Sequence, residues 1–146
     1  MGAFRSLFYT GTAVQLISVP VHFLGMLSKR VPANDQERML QDLLHNYRFN
    51  LGAGFVRTLS DFLTGFGVVY GVFILFFGLT NVFAIRQAGD SRFLRTLCWL
   101  NALCMAVATV IAFKFFFLFP LVFSLVPCVA FLGAALAGPR QTQQVG

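Results

Sequence analysis

The chain has 146 residues, 58% of them apolar, 16% aromatic and 11% charged, and its eleven basic and five acidic side chains leave a net charge of +6. Soluble domains run at about 25% charged residues, and so few charges cannot cover a water-soluble globule of this size while keeping 19 Phe dry. The composition excludes an ordinary soluble enzyme, a disordered tail and a disulfide scaffold. It points to an integral membrane protein, in which four spans of about 20 residues would use about 80 positions.

The first apolar run covers residues 7–27 and stops at Lys29 and Arg30. It is too long for a cleaved leader, carries Gln15 and His22, and lacks a small-x-small cleavage site, so it reads as a span. Residues 29–57 follow as the one sizeable polar stretch, and within it Asn34 or Asp35 can cap a helix over about 35–49. In it Met39, Leu40, Leu43, Leu44 and Tyr47 recur at spacings of three and four, which predicts an amphipathic surface helix between spans one and two. Leu51-Gly52-Ala53-Gly54 reads as a flexible turn.

The second span is expected over 62–85, with Ser60 or Asp61 as its cap, and the third over 93–112. The fourth runs over 120–137 with Pro120 in its first turn, and Pro139 and a polar tail close the chain. Pro20 and Pro127 fall inside spans and should kink them. The fold class is therefore all-α: a single transmembrane domain, 1–146, forming an antiparallel four-helix bundle. Basic residues flank the spans almost evenly, five on one side and six on the other. The short, acid-poor connectors place both termini on the cytoplasmic side of the cell membrane.

Small and polar residues draw a stripe down each span. In the second, Thr64, Gly67, Gly71, Ile74, Gly78 and Asn81 lie on one face and Phe62, Phe66, Phe73, Phe76 and Phe77 on the other. Membrane helices associate through close backbone approach and interhelical hydrogen bonds, so the glycine stripe should face protein and the phenylalanine stripe lipid. The same spacing places Gln15 and His22 on the seam of the first span and Asn101 on that of the third. Gln15, Asn81 and Asn101 are read as helix-packing polar residues. Cys98, Cys104 and Cys128 lie inside spans and read as small packing residues.

Ionisable residues at membrane depth are costly and often functional, which singles out His22 and Asp61 as candidate catalytic residues. At 1.5 Å per residue His22 lies about 7 Å inside the end of its span, at the side where Asp61 and Thr64 open the second. If the two meet, Asp61 would hold the imidazole and make it a proton acceptor; otherwise Asp61 caps its helix beside Arg57 and His22 bonds a backbone carbonyl freed by the proline kink. Thr64, Arg57, His45, Tyr47 and Arg48 are candidate ligand contacts, with anchoring in the membrane interface as their alternative role. No metal site, cofactor motif or nucleic-acid patch is expected.

The seam histidine, the polar segment and Ser60-Asp61-Phe62-Leu63-Thr64-Gly65-Phe66-Gly67 opening a glycine-rich span resemble small bacterial four-helix membrane proteins of unassigned function, DoxX-like in size and layout. The resemblance covers most of the chain and carries no active-site residues with it. Two functions are expected to compete. One is a non-enzymatic accessory or interaction bundle, partnered by the bilayer, by other membrane subunits or by itself. The other is a small membrane enzyme or carrier for an apolar quinone, lipid or polyketide-like ligand at a His22/Asp61 cluster.

Overall fold

The computed structural model describes residues 2–28, 31–50, 52–87 and 91–138. Lys29 and Arg30 at the end of the first span, Leu51 of the turn, the connector residues 88–90, and Pro139 with the tail lie outside them. The described chain runs α1 (Ala3–Leu27), α2 (Asp35–Asn46), β1 (Arg48–Asn50), β2 (Val56–Thr58), α3 (Leu59–Gln87), α4 (Ser91–Phe115) and α5 (Leu118–Ala137). Four of these helices, all but α2, are long and apolar enough to cross a membrane; the shortest, α5, has 20 residues, about 30 Å of helix.

Local chemistry sets the element ends. Asn34 caps α2 by accepting from the Glu37 N–H at 2.8 Å, and Glu37 reaches back to accept from the Ala33 N–H at 2.8 Å. Asp35 and Glu37 in the first turn and His45 in the last complement the helix dipole. The helix stops at Asn46, three residues short of the expected end, because Tyr47 turns extended and residues 48–50 pair with 56–58 instead. This antiparallel hairpin sets Arg48 opposite Thr58, Phe49 opposite Arg57 and Asn50 opposite Val56. Its turn places Gly52, Ala53 and Gly54 at φ of 93°, 50° and 81°. Two of these positions are glycines because the left-handed region costs any other residue about 1–2 kcal/mol.

The second span starts at Leu59 rather than Phe62. Its cap is Thr58: the Thr58 hydroxyl accepts from the Asp61 N–H at 3.1 Å, and the Asp61 carboxylate accepts from the Thr58 N–H at 3.0 Å. That reciprocal pair satisfies donors that the first turn of a helix otherwise leaves open. Both interior prolines, Pro20 and Pro127, sit within continuous helices.

The chain divides into two compact units, one of Met1–Val19 with Ile74–Gly146 and the other of Pro20–Phe73. The first holds the main apolar core. Phe8 and Phe131, both fully buried, meet edge to face at 5.6 Å, with Cys98, Ala102, Ala134 and Ala135 around them. Gly11 makes the approach possible, since a Cβ there would lie 3.0 Å from the Phe131 ring. Cys98, Cys104 and Cys128 are all free thiols, and Cys128 lies 3.6 Å from the Ala102 carbonyl. In the second unit Phe23, Met26 and His22 of α1 fill the space left by Gly67 and Gly71 of α3. The phenylalanine stripe of α3 is exposed along Phe62, Phe66, Phe73, Phe76 and Phe77.

Candidate functional site

Three amides form the principal polar feature of the first unit. Asn81 on α3 and Asn101 on α4 exchange hydrogen bonds, Nδ2 of Asn81 donating to Oδ1 of Asn101 at 3.1 Å and Nδ2 of Asn101 donating to Oδ1 of Asn81 at 2.9 Å. The second N–H of Asn81 donates to Oε1 of Gln15 on α1 at 2.9 Å, and Asn101 also donates to the Leu97 carbonyl at 2.9 Å. All three side chains are buried. Every side-chain donor of the two asparagines is thereby used, whereas the buried Gln15 Nε2 has no partner among the described residues. The cluster joins three helices by neutral groups, so it takes no charge into an apolar interior.

His22 and Asp61 go separate ways. His22 Nε2 lies 2.8 Å from the Gly67 main-chain carbonyl, and because a carbonyl only accepts, that nitrogen carries the proton. The half-buried ring also sits edge-on to Tyr70 at 5.2 Å and to Phe23 at 5.6 Å. Asp61 is held by Thr58 in the helix cap. Among the described residues no hydrogen bond or ion pair joins His22 to Asp61. His45 turns back on its own helix, its Nδ1 lying 2.8 Å from the Gln41 carbonyl, and Tyr47 is exposed at the end of α2.

Four of the seven candidates, Asp61 among them, do converge. Arg48, Arg57, Asp61 and Thr64, together with Val56, line an open cleft of about 430 Å³ where the hairpin meets the start of α3. Both arginine charges act on the Asp61 carboxylate, yet neither closes an ion pair with it. Arg57 donates to the Val56 carbonyl at 2.9 Å and its guanidinium stands 5.8 Å from the centre of the Phe55 ring. The Thr64 hydroxyl has no hydrogen-bond partner among the described residues. Phe49 of the hairpin packs on Phe62 at 6.5 Å, and Phe62 on Phe66 at 4.7 Å, which fixes the hairpin against α3.

Two members of this site escaped the reading from sequence. Thr58 announces itself only as the first residue of Thr58-Leu59-Ser60-Asp61, a threonine followed three positions later by a carboxylate. Val56 needs the hairpin register, and strands of three residues carry too short an alternation to reveal it. Among the described residues no three His, Cys, Asp or Glu side chains gather as a metal site. Compared with protein-family models, curated proteins and solved structures, the chain matches none.

Proposed function

We infer that the chain is a small membrane protein, since four of its helices are long and apolar enough to span a bilayer. We propose that it is a non-enzymatic accessory or interaction bundle, in which the polar side chains of the spans serve helix association. The observation behind this reading is the Gln15–Asn81–Asn101 cluster, whose amides bond mainly to one another across helices. His22 fits the same pattern, since its imidazole is held on the Gly67 carbonyl of another helix, while Asp61 is occupied in a helix cap. In this reading the spans form an antiparallel bundle in the cell membrane with both termini cytoplasmic. The exposed Met39, Leu40 and Leu43 of α2 then lie in the membrane surface. The layout likeness to DoxX-like proteins belongs to the same proposal.

The test is the state of the protein in its own membrane. Cross-linked there and then purified in a mild detergent, the 16.2 kDa chain should migrate as a defined homo- or hetero-oligomer. A monodisperse monomer, with no cross-linked species before solubilisation, overturns the proposal.

A further inference from the structure

We propose that the cleft between the hairpin and α3 is a binding site for the phosphodiester of an anionic lipid headgroup, held by Arg48 and Arg57. This rests on the chain being a membrane protein but not on its accessory role, so the oligomer test and the one below can fail separately.

The charge arrangement comes first. Arg48 opens β1 and Arg57 is the middle residue of β2, and the two line one cleft with Asp61 and Thr64. Asp61 is the carboxylate that could neutralise them, but it is engaged by the Thr58 N–H and pairs with neither arginine. Two cations and one anion leave the cleft with a single uncompensated positive charge, which a monoanionic phosphodiester balances. A guanidinium offers five N–H donors in a planar fork suited to phosphate oxygens. Among the described residues Arg57 spends one hydrogen bond, to the Val56 carbonyl.

The surroundings place that charge at the right depth. The cleft opens where α3, an apolar helix long enough to span, begins. Exposed Tyr47 and Phe55 and the ring series Phe49, Phe62 and Phe66 flank it. Tyrosine and arginine collect at the membrane–water boundary, where the hydroxyl or guanidinium end stays wet above an apolar body such as these phenylalanines, and lipid phosphates lie at that level. The remaining two polar groups specify the headgroup further. Asp61 accepts and the Thr64 hydroxyl both donates and accepts, so a headgroup carrying hydroxyls, such as phosphoglycerol, finds partners for them. A choline headgroup brings its own cation and no hydroxyl, and leaves the positive charge of the cleft unbalanced. At about 430 Å³ the cleft is within the range of small-ligand sites.

The test uses the full chain in a neutral detergent, titrated with short-chain phosphatidylglycerol, short-chain phosphatidylcholine or inorganic phosphate. Phosphatidylglycerol should bind at least about tenfold more tightly than phosphatidylcholine, a difference that should shrink with added salt. R48Q/R57Q should remove the preference, R48K/R57K should keep part of it because charge survives without the fork, and R38Q should leave it intact. Arg38 serves as the control because it lies on α2, where it faces Asp35 at 3.9 Å. Should R48Q/R57Q fail to fold, the partial loss in R48K/R57K still decides the matter. Equal binding of the two lipids, or a preference untouched by both arginine variants, overturns the proposal. Inorganic phosphate competing at the same concentration as phosphatidylglycerol would identify a free-phosphate site and overturn the lipid assignment.

Discussion

Substituting the hub of the amide cluster should cost far more than substituting its edge, although Gln15 and Asn81 are equally buried. Asn81 takes part in three hydrogen bonds, one with Gln15 and two with Asn101. Interhelical side-chain bonds in membrane proteins average about 0.6 kcal/mol. Asn81→Leu should therefore destabilise the protein by about 2 kcal/mol, on the order of 20-fold in the folding equilibrium. Gln15→Leu removes one bond of that size. It also removes the Nε2 group that is buried without a partner, and a stranded buried donor costs about 1–3 kcal/mol. The substitution strands in turn the Asn81 N–H that Gln15 Oε1 accepts. The unpaired donor removed and the one created offset each other, so Gln15→Leu should cost the one bond, about 0.6 kcal/mol, well below Asn81→Leu. Unfolding by a graded shift from mild detergent to dodecyl sulfate, followed through the fluorescence of Trp99, the single tryptophan, measures both variants on one scale. Trp99 lies on α4, two positions before Asn101, and so reports on the helix in question. A loss in Gln15→Leu as large as that in Asn81→Leu would refute the reasoning, because it would require the Gln15 donors to be satisfied.

Two further substitutions probe the packing and the histidine. Gly11→Val should destabilise by about 1–3 kcal/mol through overpacking, since a Cβ there meets three Phe131 ring carbons at 3.0–3.1 Å; in a Phe131→Leu background the penalty should shrink, and an unchanged penalty on the same detergent scale would place the strain elsewhere. His22→Ala removes the bond to the Gly67 carbonyl and the ring contacts with Tyr70 and Phe23, a loss of about 1–2 kcal/mol. Any cellular defect should follow that loss of stability. A defect in His22→Ala at unchanged stability would instead mark the imidazole as chemically active.

The long apolar elements could be read from sequence because a bilayer demands both length and apolarity, and few other structures demand both. Their ends were harder to place. α1 starts at Ala3 rather than near Leu7, and α4 continues to Phe115 rather than stopping near Ala112. Helix propagation does not stop where hydrophobicity does, and nothing in those flanks breaks it. The stripe of three- and four-residue spacings put Gln15, Asn81 and Asn101 on seams, but which seam meets which depends on contacts 66 and 20 residues apart. The hairpin was hidden because Tyr47, Arg48 and Phe49 continue the helical period of α2. Only Asn50 and the glycines after it signalled a turn.

The expected meeting of His22 with Asp61 shows why lying at the same end of two spans is an insufficient guide. Both residues belong at that end, but the rise per residue sets His22 about 7 Å deeper than the mouth where Asp61 sits. The partner His22 takes is Gly67, six residues beyond Asp61 on α3, about 9 Å farther along the helix axis. An imidazole fixes its partner by azimuth as well as by height, and Gly67, which has no side chain of its own, leaves its carbonyl within reach of the ring. Asp61 meanwhile has a partner three residues away in Thr58 and needs none from α1.

Ionisable and neutral polar groups are thus used differently along this chain. Neutral amides occupy the buried seams, where an ion would carry a heavy desolvation cost, and they bind helix to helix. The arginines and Asp61 gather instead at the mouth of α3, where water and lipid headgroups can solvate them. No residue belongs to both sets, and no hydrogen-bond partner is shared between them. Substitutions in the two sets should therefore combine additively. The amides would set how firmly the helices hold, and the arginines which lipid the protein prefers. An Asn81→Leu chain that still folds should keep its lipid preference, and an R48Q/R57Q chain should keep its stability in neutral detergent. Coupling between the two would mean that lipid binding at the cleft and helix association are one process rather than two.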